Sequence, residues 1–154
     1  MDSKKVTLNL TNLLGPSKFS AQGYLGADTR EPEEIIKDDL KTLERIGIDK
    51  KKLVAALREA YSTAEKALGN PVQISDNVSA VYHEARGRIP SPFPEDGTLP
   101  KGEVIITKTK SDDSFTVTPL SIVLIEKHDF FQGKGSPYRI DPEVAVKLLK
   151  IKEI

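Results

Sequence analysis

The chain has 154 residues, enough for one domain with a real apolar core, and its 38% apolar and 30% charged residues suit a globular protein. Its 23 basic and 23 acidic side chains cancel, which argues against a general nucleic-acid binder, whose affinity comes mostly from neutralising phosphates. Cysteine is absent, which excludes disulfides, thiolate metal sites and cysteine nucleophiles, and no apolar run nears the roughly 20 residues of a membrane span.

The opening MDSKKVTLNLTNLLG lacks a long apolar stretch and a small-residue cleavage site, so no signal peptide is expected and a cytoplasmic location is. Within it, Val6, Leu8 and Leu10 alternate with polar residues at strand period. Residues 11–31 then read as a long irregular loop holding Phe19, Tyr24 and Leu25. A loop of that length either has a function or is pinned to the core by its aromatics.

At Pro32 the period becomes helical. Proline suits a first helical position, and Glu33 and Glu34 suit the positive end of the helix dipole. Ile36, Leu40 and Leu43 are the expected inward stripe, with Gly47 as the stop. Asp49 can cap a second helix with the stripe Leu53, Leu57, Ala60, Tyr61, Ala64 and Leu68, ended by Gly69-Asn70-Pro71. Together these predict a helical hairpin over 32–69. Between residues 31 and 70 there are nine acidic and eight basic side chains, the mixture expected of a solvated outer face.

Residues 71–118 read as the β-rich part. VQIS and VSAVYHEA flank Asp76-Asn77 as one hairpin; GEVIITKTK and SFTVT form another, with Val104, Ile106, Phe115 and Val117 on the buried face. Between them, RGRIPSPFPEDGTLPKG holds four prolines and three glycines and is expected to be irregular. The run SIVLI after Thr118 fits a buried strand or a helix by period. A helix is preferred: Thr118 caps it, Pro119 opens it, Leu120, Val123, Leu124, Phe130 and Phe131 face the core, and Gly133 stops it. Asp141-Pro142-Glu143 opens a last helix with the stripe Val144, Leu148 and Ile151. The predicted fold is therefore α+β and one globular domain over 1–154. It comprises the helical hairpin, an antiparallel sheet of about four or five strands, and one or two C-terminal helices within 119–151.

Motifs for chemistry are sparse. In FFQGKGSPYR, residues 130–139, Lys134 lies between Gly133 and Gly135, and Pro137 follows Ser136. This is not the GxxxxGK[ST] phosphate loop, and Tyr138 spoils a GxGxxG. What remains is a turn whose glycines can expose backbone N–H groups, with Lys134 and Arg139 for an anionic group and Tyr138 for a flat one. The competing reading is a plain connection to the last helix. His83 and His128 are each followed by a carboxylate, Glu84 and Asp129. Neighbours on a strand face opposite ways, and no HExxH or HxH spacing occurs, so neither a metal site nor a cofactor is expected. The histidines are candidates for acid–base chemistry, although no GxSxG elbow supplies a nucleophile. Arg86 and Arg88 form a second basic feature, read as surface arginines. Three functions follow as expectations: a small binding or interaction domain, with an anionic ligand at 130–139; a small hydrolytic enzyme using His83 or His128 with a carboxylate; or a subunit of a larger complex with Phe19, Tyr24 or Phe93 at its interface.

Overall fold

The computed structural model describes residues 24–152. The strand expected over 4–10 and the aromatic Phe19 lie outside the described residues. Helices α1 (Pro32–Arg45) and α2 (Lys50–Lys66) come first. They are followed by strands β1 (Val72–Ser75), β2 (Val78–His83), β3 (Arg88–Pro90), β4 (Thr98–Pro100), β5 (Glu103–Lys108) and β6 (Ser114–Val117). Helices α3 (Pro119–His128) and α4 (Pro142–Leu149) close the order. The fold is α+β. A four-stranded antiparallel sheet runs in the order β1-β2-β5-β6, and β3 and β4 pair as a separate ribbon.

Alternation gives the large sheet one buried face. Ala80 lies opposite Ile106 and Ile106 opposite Phe115; Tyr82 lies opposite Val104 and Val104 opposite Val117. These rows, Tyr82 excepted, are buried and meet Leu53, Leu57, Ala60 and Ala64 of α2 in the main core. Removing a leucine side chain from water contributes about 1.5–3 kcal/mol, so Leu53 and Leu57, both at 0% exposure, tie α2 to the sheet. The hairpin turn forms at Asp76-Asn77, with Asn77 at φ 61°. Its strand β1 is irregular between Gln73 and Ser75.

The phase of α1 differs from the apolar count. Ile35, Asp39 and Leu43 face inward, while Ile36 and Leu40 sit half-buried on the shoulder. An aspartate takes an inward position because an arginine from far along the chain meets it there. In α2, Leu68 is exposed: the helix ends at Lys66, and Leu68 turns away at φ 52°. In α4 the inward residues are Pro142, Ala145 and Leu148; Val144 is half-buried and Ile151 lies beyond the last turn.

The expected caps form. Asp49 accepts from Lys51 N, Asp141 from Glu143 N and Val144 N, and Thr118 from Ser121 N, whose hydroxyl in turn accepts from Thr118 N. Each such cap is worth about 1 kcal/mol. The run SIVLI is helical, but α3 stops at Asp129, in the left-handed region at φ 55°, and not at Gly133. Its weak period has a structural cause. Ile122 and Ile125 face the main core, while Leu120 and Leu124 face a second cluster with Tyr24, Ile35, Phe93 and Phe130. A helix walled between two cores is apolar on both sides.

The proline-rich segment 86–102 is more regular than its composition suggests. Ile89 pairs with Leu99 in the ribbon, and Pro94–Asp96 forms one 3₁₀ turn at its tip. A two-stranded ribbon has only edge strands, where a missing proline N–H does no harm. Arg88 is used within the ribbon, donating to Thr98 Oγ1 and Thr98 O.

Candidate functional site

The segment 130–139 turns its glycines and its arginine inward. Arg139 grips Asp39 through two bonds, Nη1 to Oδ2 at 2.9 Å and Nη2 to Oδ1 at 2.8 Å, and donates to Gln132 O at 2.6 Å. Both side chains of this pair are largely buried, so the guanidinium is committed to a carboxylate of its own chain. A methyl group on Gly133 would lie 2.1 Å from Leu25 O, and one on Gly26 would lie 2.3 Å from Ser136 N. The room the glycines leave is filled by residues 24–28. Gly133 N donates to Tyr24 O, and Ala27 N to Lys134 O. Gly135, at φ +90°, packs on Ala27. The turn does meet an anion: Lys134 N donates to Asp28 Oδ2 at 3.0 Å. Asp28 is also held by Arg30, whose hydrogen bonds keep its carboxyl far below the usual range. Of the five residues expected to bind a ligand, Gly133, Gly135 and Arg139 thus serve internal packing, and the Lys134 side chain projects outward.

The fifth, Tyr138, lies elsewhere. Its hydroxyl donates to Glu103 Oε1 at 2.5 Å, and that carboxylate, helped by partial burial, pushes the phenol up to about 12. Tyr138 and Glu103 line a cleft of about 260 Å³ between the ribbon and the start of α3. Ile89, Pro100, Leu120 and Tyr24 supply apolar wall; Thr118, Lys101 and Gln132 supply polar groups. Such a cleft is slightly smaller than the usual range for organic ligands, about 300–1,000 Å³.

Gln132 is the unusual member. It is 3% exposed, yet its backbone lies in the left-handed region at φ 74°, where a non-glycine residue is strained by about 1–3 kcal/mol. It is held from two sides: Arg139 takes its carbonyl, and Ser136 Oγ donates to its side-chain Oε1 at 2.8 Å. Its amide nitrogen makes no hydrogen bond to a described residue, and it is not one of the buried atoms left without a partner, so it stands at the accessible wall of the cleft. A rigid donor therefore stands in the wall of a mainly apolar cleft.

The histidines separate. His83 is exposed at the end of β2, opposite Glu103 in the register. His128 is stacked on Phe93, ring centroids 3.7 Å apart and planes 13° off parallel. Its Nε2 lies 2.9 Å from Asp96 Oδ2. Its partner is Asp96 of the ribbon tip and not the adjacent Asp129, which pairs with Lys50 of α2 at 2.5 Å. Ser91 Oγ donates to the same Asp96 oxygen at 2.8 Å. Burial opposes ionisation of Asp96, and the bonds from Ser91 and His128 outweigh it, holding its carboxyl below the usual range. A serine, an aspartate and a histidine thus converge, but the aspartate is in the middle. The serine hydroxyl bonds the carboxylate, whereas nucleophilic activation needs it on the imidazole.

Sequence reading missed Gln132, Glu103 and Asp96. Only Asp96 carried any signal, in the Glu95-Asp96-Gly97 turn; the others gain meaning from neighbours far away in the chain.

Fold and cleft together define an α+β chain with a small, mainly apolar recess between the ribbon and α3. Comparison with known proteins brings no family model, no curated protein and no solved structure that matches this chain.

Proposed function

We propose that the chain is a small binding module, and that its ligand is a compact organic molecule with an apolar body and one carbonyl or carboxylate end. The apolar body would lie against Ile89, Pro100 and Leu120, and the acceptor would take the free amide N–H of Gln132, with Lys101 at the rim. The observation that carries this reading is Gln132 itself: a buried, strained side chain presenting an unused donor to an apolar recess. Strain of this kind persists where the surrounding structure enforces it, and it is concentrated at ligand sites. A donor in the wall of an apolar recess also gives specificity, because a ligand that bonds it gains an interaction that a purely apolar one lacks. The 130–139 segment then contributes through Gln132 and Tyr138, while Lys134 and Arg139 do not touch the ligand.

The test is a fragment screen by ligand-observed NMR using small aliphatic and aromatic acids, amides and ketones. Binding is expected to fall with Gln132→Ala and to vanish with Ala85→Trp, which fills the cleft from an exposed position. It is expected to persist with Lys134→Ala. Hits that bind Ala85→Trp as well as the parent would place the ligand elsewhere. A hydrolytic role for His128 has less support, since its nearest serine bonds Asp96 instead.

A further inference from the structure

The ribbon tip holds a second cluster, away from the cleft. A carboxylate oxygen of Glu95, one of Asp96 and a ring nitrogen of His128 lie within 4.8 Å of one another. The Asp96 side chain is 1% exposed. Its Oδ2 accepts from Ser91 and meets His128, whereas its Oδ1, also buried, has no hydrogen-bond partner among the described residues. The nearest cation, Lys127 Nζ, stands 4.0 Å from that oxygen, too far for a hydrogen bond, on a side chain that is 55% exposed. A buried carboxylate with one oxygen left over is an incomplete arrangement, because such groups are almost always fully bonded.

We infer that Glu95, Asp96 and His128 form a binding site for one divalent first-row transition ion, with zinc the best match to the donors. One imidazole and two carboxylates are three ligands of the kinds zinc takes, with a fourth position left for water. Magnesium and calcium prefer all-oxygen sets, and the nitrogen shifts preference towards zinc, cobalt or nickel. The spacing suits this. Two ligands about 2.1 Å from a common ion lie about 3.0–3.5 Å apart, and His128 Nε2 and Asp96 Oδ2 are already 2.9 Å apart. The ion would replace the hydrogen that now bridges them, and the unpaired Asp96 Oδ1 gives the carboxylate a second oxygen with which to hold it. Glu95 is exposed and can swing in; Lys127, equally free, can swing out. The supports are built: Ser91 orients the carboxylate, and Phe93 N in turn donates to Ser91 Oγ. The Phe93 ring lies flat on the imidazole. Outer contacts of this kind hold metal ligands in place. The bound ion would clamp the ribbon tip to the C-terminal end of α3.

The full chain, stripped with a chelator, is titrated with Co²⁺ by visible absorption and with Zn²⁺ by competition. The expected result is one equivalent of Co²⁺ with a d–d band that Zn²⁺ displaces. Glu95→Gln, at an exposed position that leaves folding intact, should weaken binding by about 10-fold or more, by analogy with losses around metal ligands. His128→Gln should abolish the band, and His83→Ala should leave it unchanged. The inference is overturned if uptake is far below one equivalent. It is equally overturned if Glu95→Gln or His128→Gln binds like the parent, or if binding disappears with His83→Ala.

Discussion

Two loop regions of this chain bury carboxylates in opposite ways. Around 24–30 and 130–139, Asp28 of the loop and Asp39 of α1, which the second loop reaches through Arg139, are saturated: Arg30 and Lys134 N cover both oxygens of the first, and Arg139 covers both of the second. At the ribbon tip, Asp96 carries two hydrogen-bond contacts on one oxygen and, on the other, no hydrogen bond and only Lys127 at 4.0 Å. The same side chain is structural in the first region and chemically available in the second. Charge in a loop therefore indicates a site only when the fold leaves it partly unpaired. The Gly-Lys-Gly turn has the composition of a site and the contacts of a buried joint, while the proline-rich tip has the composition of a linker and leaves a buried carboxylate oxygen without a hydrogen bond.

The comparison can be broken most directly at Arg139. Arg139→Ala should lose about 3–5 kcal/mol, because it strands the buried Asp39 carboxylate. Combining Arg139→Met with Asp39→Leu should recover most of that, since a buried pair often does no better than apolar packing. Urea denaturation measures both, and a small loss for Arg139→Ala would mean that the guanidinium is free for a ligand after all.

Gly133→Ala should destabilise by about 1–3 kcal/mol, as overpacking does, because its methyl would press on Leu25 O. A thermal melt at unchanged stability would show that the 24–28 segment is not held against the turn.

Acid should act on the first region through Asp28. Its folded carboxyl lies below the unfolded value of about 3.9, chiefly through the Arg30 hydrogen bonds. That contribution is complete above the unfolded value and is lost as pH falls below it towards the folded one. Asp28→Asn should flatten the parent's stability loss between about pH 4 and pH 2, as read by melting temperature.

Asp96→Asn should shift the stability of the metal-free chain by less than about 1 kcal/mol. The amide oxygen can keep the contacts with Ser91 and His128, and the amide nitrogen replaces the unpaired oxygen. A loss as large as that for Arg139→Ala would make Asp96 as structural as Asp39.

The smallest effect belongs to Tyr138, at the rim of the cleft. Its phenol is raised to about 12, so its bond to Glu103 contributes below the ordinary value of about 10 and is lost as pH climbs from there towards 12. The ultraviolet titration difference between the parent and Tyr138→Phe should be one late-ionising tyrosine, while Tyr24 and Tyr61, also raised, chiefly by burial, titrate late in both. A normal titration in that difference would mean that the Glu103 contact does not persist in solution.

How far the sequence determined this protein follows from the range of each interaction. Caps at Asp49, Thr118 and Asp141, the turn at Asp76-Asn77 and the alternation of Val104, Ile106, Phe115 and Val117 were legible. They depend on neighbours within a few residues, or on a period the chain itself carries. Helix α3 was ambiguous because it is buried from two sides, which erases its period. The phase of α1 was decided by Arg139, 100 residues from Asp39. The availability of Asp96 was decided by His128, 32 residues away. No local pattern encodes such pairings. Whether a buried charge is satisfied depends on which side chains packing brings to within 3 Å of it, and only the tertiary structure settles that.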